Sequence, residues 1–278
     1  MLHFRAIALF LAGLIFASAA SAGLTEPVDN KLRIGGTGCA IATMQTLGKA
    51  FTKIHPEATV VITPSLGSSG GIKAMLAGSI DLAISSRDLK PAERAQGVLA
   101  SEYARTPFVF AVSPRNSVAA ITTNELVRIY SGDSTLWPDG KKLRLVLRPP
   151  EESDTDIVKS MSPEMNRAMQ IALAREGMIR AITDQDSADK LEKILGAIGT
   201  STLAQIISEQ RALKPLILNG VTPSLDTLAE GKYPYFKTLL MVSSPKPSPL
   251  TQAFIAFVRS AVGRQILAKN GQWAAPAK

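Results

Sequence analysis

Apolar residues along this chain recur in two rhythms, every second residue or every third to fourth, and the rhythm changes at glycines and prolines. Residues 31–34 carry a short strand signal that runs into Gly35-Gly36-Thr37-Gly38-Cys39-Ala40. A helical stripe follows over 41–54, where Met44, Leu47, Phe51 and Ile54 share one face, and Pro56 stops it. The β-branched run 59–63 predicts a strand. The loop Gly67-Ser68-Ser69-Gly70-Gly71 opens a helix over 71–77 that Gly78 closes, and a buried strand is expected over 80–84. A helix is expected over 91–102, then a strongly apolar strand over 107–112. Strand, glycine-rich turn, helix and strand thus repeat twice, the mark of a parallel α/β sheet.

The pattern restarts after Pro114. A helix is predicted over 123–130 with Thr123 as its N-cap, and a strand over 143–147 ends at Arg148. Helices are expected from Ile157, over 163–176 and over 187–195. Residues 196–204 hold a short strand and turn, 213–218 and 237–242 read as strands, and 249–267 as one amphipathic helix. No solenoid or low-complexity repeat interrupts this order.

The first residues have a different character. A basic start with Arg5, an apolar run over 6–17 and Ala20-Ser21-Ala22 predict a secretory signal peptide over 1–22. No cysteine stands at the cleavage position, and no later apolar run reaches the length of about 18 residues that suggests a membrane span. A periplasmic or secreted location is therefore expected. The single cysteine, Cys39, allows no internal disulfide, so the fold must rest on packing. The net charge of +8 is scattered and not interleaved with aromatics. That excludes a nucleic-acid surface and suits capture of a small anion.

The residues leave little room for catalysis by metal or cofactor. The chain has 2 histidines and 1 cysteine, too few for a zinc cluster, and no EF-hand spacing. Gly36-Thr37-Gly38 lacks the third glycine of a dinucleotide fingerprint, and no Gly-Lys-Ser/Thr loop occurs. No cofactor is expected. Gly67-Ser68-Ser69-Gly70-Gly71 matches the G-x-S-x-G pattern, so a hydrolase using Ser69 stays open. Its partner would have to be His55, which precedes the serine and adjoins Pro56. Binding fits better. Loops at 36–40, 67–71 and 152–155 place hydroxyls and glycines at helix starts, where free N–H groups and the dipole favour anions. Ser85-Ser86-Arg87 ends one strand and Arg148 another. A tetrahedral oxyanion needs a donor for nearly every lone pair, and an arginine can chelate two oxygens.

These motifs resemble the periplasmic phosphate-binding proteins of ABC-type phosphate importers. Gly67-Ser68-Ser69-Gly70-Gly71-Ile72-Lys73 is similar to the family's second anion loop, and residues 80–89 to its next strand and turn. Tyr130-Ser131-Gly132, Trp137 ahead of Arg148, Gly196-Ala197-Ile198-Gly199 and Tyr233-Pro234 continue the likeness in order. The resemblance implies a two-lobed periplasmic binding protein (Venus-flytrap) fold, two α/β lobes joined by two extended crossings, with the anion in the cleft. Lobe one would comprise 23–110 and 240–278 and lobe two 115–235, with crossings at about 106–114 and 234–243.

It also implies an anion site of Cys39, Ala40, Ser68, Ser69, Ser86, Arg148, Ser153, Asp154 and Thr155, with inorganic phosphate or a similar oxyanion as ligand. An ABC-transporter permease is the implied partner, and a monomer is expected. An oxyanion-sensing or adhesion module without a transporter is the alternative. Three departures stand out. Cys39-Ala40 replaces a threonine, Asp154 replaces a central glycine, and Ser86 stands where the family has an aspartate. An aspartate accepts a hydrogen bond from a protonated phosphate and repels an anion with no proton to give. Ser86 both donates and accepts, so that discrimination is lost. Asp154 either turns inward as the acceptor or caps the helix that follows.

Overall fold

The computed structural model describes residues 30–274. The expected signal peptide, and residues 23–29 and 275–278 of the expected lobe one, lie outside the described residues.

In chain order the first part comprises β1 (Lys31–Gly36), α1 (Gly38–Ile54), β2 (Thr59–Ile62), α2 (Gly67–Leu76), β3 (Leu82–Ser85), α3 (Pro91–Arg94) and β4 (Leu99–Val112). The second part holds β5 (Ala120–Ile121), α4 (Thr123–Ser131), β6 (Arg144–Leu147), α5 (Ser153–Ser160), α6 (Pro163–Ala174), β7 (Ile179–Arg180), α7 (Asp184–Lys193), β8 (Ala197–Thr202), α8 (Leu203–Ser208), β9 (Lys214–Pro215), β10 (Ile217–Leu218) and α9 (Leu225–Ala229). The chain then returns through β11 (Phe236–Ser243), α10 (Pro249–Arg259), α11 (Ala261–Lys269) and β12 (Trp273–Ala274).

Among the described residues the main sheet runs β2-β1-β3-β11-β4-β8-β6-β7, with β9 and β12 also paired to β4. The β1–β2, β1–β3 and β6–β8 pairs are parallel, as the strand–helix alternation requires. The long strand β4 joins the two halves. Its residues 99–107 pair with β11, and its residues 108–112 pair with β8. The strand passes from one partner to the other at Pro107/Phe108.

Both faces of the sheet are covered, and side-chain alternation divides the core accordingly. Along β4, Phe108, Phe110 and Val112 enter one cluster with Tyr130, Trp137 and Met169, while Val109 and Ala111 enter another with Val146, Ala188 and Leu191. In the first half, Leu82, Ile84, Leu239 and Met241 face Met44, Leu47 and Phe51 of α1, whereas Ala83, Leu240 and Val242 face Ile72 and Met75 of α2. This is a period of two read on a sheet buried on both sides. Each half has its own core, as two lobes require.

Three local expectations are corrected. The helix expected over 91–102 stops at Arg94, and strand β4 begins at Leu99. Gly97 at φ +72° turns the chain, and residues 99–106 then find a full partner in β11, which outweighs their helical propensity. The N-cap of α4 is Thr122, whose hydroxyl accepts from the Glu125 N–H. The long C-terminal helix is two. Ser260 leaves helical geometry and caps α11 by accepting from the Gly263 N–H, and a Cβ at Gly263 would lie 2.3 Å from the carbonyl oxygens of Phe257 and Val258.

A close approach between α2 and β1 sets the position of the serine-bearing loop. A Cβ on Gly71 would sit 2.6 Å from the Gly36 Cα. Helix propensity alone would favour alanine at Gly71 by about 1 kcal/mol. The backbone overlap costs more, about 2–3 kcal/mol. Gly71→Ala is therefore expected to lower stability by about 1–2 kcal/mol in urea denaturation. A raised midpoint would contradict this packing.

Candidate functional site

The loops between strand ends and helix starts converge between the lobes. The chain leaves β1 through Thr37 into α1, leaves β3 through Ser86, and leaves β6 through Arg148. Helices α2, α5 and α7 open with Gly67, Ser153 and Asp184. The returning strand β11 brings Lys237 to the same place. Carboxyl ends of strands and amino ends of helices meet here, where open α/β sheets hold ligands.

A cluster of hydroxyls lies at the centre. Ser86 Oγ is 3.1 Å from Thr37 Oγ1, from Ser68 Oγ and from Ser153 Oγ. The Ser86 N–H donates to Ser68 Oγ at 2.9 Å. Ser153 comes from the second part of the chain and the other three from the first, so the cluster ties the two parts together. Each hydroxyl can donate or accept, which lets the set reorganise around a different partner.

Beside it lies a cluster of charges. Lys237 is 2% exposed, Arg148 4% and Asp154 1%. Lys237 Nζ donates to Asp154 Oδ1 and lies 3.5 Å from Asp184 Oδ1. Thr200 Oγ1 donates to Asp154 Oδ2 at 2.7 Å. Arg148 Nη1 donates to the Ala181 carbonyl at 3.0 Å, and its Nη2 lies 3.5 Å from Glu152 and 3.8 Å from Asp184. Asp184 Oδ2 accepts from the Cys39 N–H at 3.1 Å. A carboxylate from the start of α7 thus sits on the start of α1. Next to it, Gln185 Nε2 donates to the Gly38 carbonyl at 3.1 Å.

The residues expected from sequence divide into three groups. Ser68, Ser86 and Ser153 meet in the hydroxyl cluster. Cys39, Arg148 and Asp154 meet in the charged one, where Asp154 turns toward Lys237 and Thr200 and makes no side-chain N-cap bond to α5. Ala40, Ser69 and Thr155 are directed elsewhere. The Ala40 N–H is used inside the first turn of α1, donating to the Thr37 carbonyl at 3.3 Å. Ser69 is exposed and accepts from the Arg87 guanidinium at 3.0 and 3.3 Å. The Thr155 hydroxyl donates to the Pro149 carbonyl at 2.8 Å and locks its own loop. The Ser69–His55 pair gains no support, since His55 Nδ1 faces Glu57 and its ring stacks on Phe51.

Thr37, Glu152, Asp184, Thr200 and Lys237 take part without having been named as site residues from sequence, although Thr37 and Glu152 lie in the helix-start loops expected there. A lysine inside the apolar run Phe236–Ser243 is a signal in the sequence, and so is an aspartate at the start of a helix. Neither reveals its partner.

Protonation follows from burial and neighbours. Burial alone would drive Asp154 up, but Lys237 and Arg148 outweigh it and hold the carboxyl below its ordinary range. Burial pulls Lys237 down, yet Asp154 and Asp184 raise it above an ordinary lysine. Arg148 is raised in the same way against its burial, by Asp154, Asp184 and Glu152. Glu152 moves upward, because its own burial exceeds the pull of Arg148. Burial pushes the Cys39 thiol up to about 12 although Lys237 opposes it, so the cysteine is a neutral thiol. Among the described residues no group of three or more His, Cys, Asp or Glu side chains could hold a metal ion. The site can offer an amide, hydroxyls, a guanidinium and an ammonium to an anion.

Comparison with known proteins gives a consistent picture. The family description "PBP superfamily domain" matches residues 21–262. The phosphate-binding protein PstS of Borreliella burgdorferi is 26% identical over 258 residues, covering 87% of this chain and 90% of the relative. A solved Clostridium perfringens protein, described as a candidate phosphate ABC transporter substrate-binding protein with bound phosphate, superposes with a TM-score of 0.76 at 20% identity. It covers 88% of this chain and 100% of that one. A high-affinity periplasmic phosphate-binding protein, PfluDING, superposes with a TM-score of 0.68 at 14% identity, over 88% of this chain and 91% of that one.

Two outcomes are expected from the charged cluster. Lys237→Met removes the ammonium in contact with the buried Asp154 carboxylate, leaving the more distant Arg148, and lowers stability by about 3–5 kcal/mol, and adding Asp154→Asn recovers most of that loss. Simple additivity in chemical denaturation would contradict direct coupling. The second concerns pH. The depressed Asp154 contributes stability that is present above the unfolded carboxylate pKa and disappears as pH falls through its folded value. The raised Lys237 contributes stability that is present below the unfolded lysine pKa and disappears as pH rises through its folded value. The pair's contribution is therefore level between about pH 4 and pH 10. In the double variant both outer limbs of the stability profile should be shallower. Limbs identical to wild type would count against the pair.

Proposed function

The chain belongs to the PBP superfamily, and from that premise we propose that it is a monomeric substrate-binding protein that captures phosphate between two lobes and delivers it to an ABC-type importer. The observation that carries this reading is the convergence of Ser68, Ser86 and Ser153, the Cys39 amide and the Arg148 guanidinium at one interlobe point. Phosphate binding stated for the relatives supports it. A fully dehydrated phosphate asks for this mixture of neutral donors and one fork-shaped cation.

Delivery requires release, and the fold supplies a place to hinge. Lobe one would comprise 30–107 and 236–274 and lobe two 108–235, meeting at the partner switch in β4 and at the short segment before β11. Hinge closure about these two strands would bring the start of α5 against the starts of α1 and α2. The role requires no bond to be made or broken, and the neutral Cys39 thiol and the occupied Ser69 hydroxyl fit a site that binds without reacting. The expected location is the periplasm or the cell exterior. Consistent with that, no helix among the described residues is long and apolar enough to cross a membrane.

Ser86 determines how selective such a site can be. Its hydroxyl both donates and accepts, so an anion with no proton to give is not repelled by it. Calorimetric titration should give one phosphate per chain, with sulfate competing. Ser68→Ala should weaken phosphate about tenfold and Arg148→Met at least about a hundredfold, the range for hydrogen bonds to charged groups. Ser86→Asp should suppress sulfate binding. Absence of phosphate binding in the wild type, or indifference to Arg148→Met, would sink this function.

A further inference from the structure

Several donors that an anion would use are already taken by the protein itself. We propose that Asp184 is a resident counter-ion. Its carboxylate occupies contacts that an anion would use, so an arriving phosphate must displace it and Asp184 sets the affinity of the site. This inference rests on the phosphate-binding reading above.

Three observations single out Asp184. First, its contacts are those of a ligand. One oxygen accepts from the Cys39 N–H at the start of α1, and the other faces Lys237 at 3.5 Å and Arg148 at 3.8 Å. A helix N-terminus, an ammonium and a guanidinium are also what an oxyanion seeks. Second, Asp184 crosses the cleft. It starts α7 in lobe two and reaches α1 in lobe one, where a Cβ on Gly38 would lie 2.6 Å from its Oδ2. Only a glycine lets the carboxylate come so near.

Third, Asp184 is the carboxylate that can leave. Asp154 has both oxygens engaged, one by Lys237 and one by Thr200 at 2.7 Å. The two ion-pair contacts of Asp184 are longer than hydrogen bonds. Helix α7 does not depend on it, because Thr183 caps the helix by accepting from the Asp186 N–H, and Asp186 accepts from the Ile182 N–H. Displacement leaves Asp154 as the partner of Lys237 and frees Arg148 and the Cys39 amide.

Charge makes the displacement necessary. Asp154, Asp184 and Glu152 face two cations, Arg148 and Lys237. An added anion beside an undisplaced Asp184 would meet a like charge at close range in a poorly solvated place. Phosphate can win the exchange because its additional oxygens also accept from Ser68 and Ser153, which a carboxylate at Asp184 does not reach.

The test has two arms. Spin labels on Lys73→Cys and Ser160→Cys, one on each lobe, report interlobe distance in protein freed of anions, with Cys39 buried and unlabelled. The wild type should show a closed distance, and Asp184→Ala should shift the population to a longer one. In phosphate calorimetry the nearly isosteric Asp184→Asn should bind at least about tenfold more tightly, a gain of about 1.4 kcal/mol. Unchanged or weaker phosphate binding by Asp184→Asn, with a folded variant by circular dichroism, overturns the proposal. So does an unchanged distance in Asp184→Ala. If phosphate binds neither wild type nor Asp184→Asn, the ligand reading falls, and the distance arm alone decides whether Asp184 holds the lobes together.

Discussion

A lysine ammonium buried between two aspartates organises this molecule. Taking Lys237 out of water costs several kcal/mol, and only close carboxylates offset that cost. Asp154 supplies the contact and Asp184 the second charge, while Arg148 adds the same demand a few ångströms away. These groups come from β11, α5, α7 and the end of β6, so their pairing fixes how the two halves of the chain sit against each other. The apolar cores build each lobe separately, and the charges determine what happens where the lobes meet.

The arrangement gives the proposed cleft donors that can change partners. Hydroxyls and amides at helix starts are neutral donors that can be exchanged between partners at small net cost. The Ser86 cluster satisfies itself when the lobes are together, and the Asp184 carboxylate satisfies the start of α1. Within the cradle, Arg148 Nε and Gln185 Oε1 are the buried polar atoms left without a hydrogen-bond partner. The strand β4 pairs with β11 at one end and β8 at the other and so runs through both parts of the chain.

The segment from Gly67 to Asp88 was legible as a strand–loop–helix unit because its pattern is local. Its glycines and its serines at a helix start mark a candidate anion loop. Arg148, at the end of an apolar strand, was legible for the same reason. What sequence could not show was pairing across the cleft. Asp154 and Lys237 are 83 residues apart, and Cys39 and Asp184 are 145 apart. Burial makes those contacts strong, and burial is a property of the finished fold. The same logic explains the lost helix after Pro91. Residues 99–102 read as helical until β11, more than a hundred residues later, offers them a sheet partner. Thr155 and Ser69 show the reverse error, since hydroxyls in the expected places turn to a nearer carbonyl and a nearer arginine.

A crystal structure of the protein grown in phosphate tests the central claim most directly. The expected result is a phosphate between the starts of α1, α2 and α5. It should accept from the Cys39 amide and from Ser68 and Ser153, with Arg148 turned onto it and Asp184 swung away. Phosphate bound anywhere else, or a closed cleft in which Asp184 still holds the Cys39 amide while Arg148 faces only Glu152 and Asp184, would contradict it.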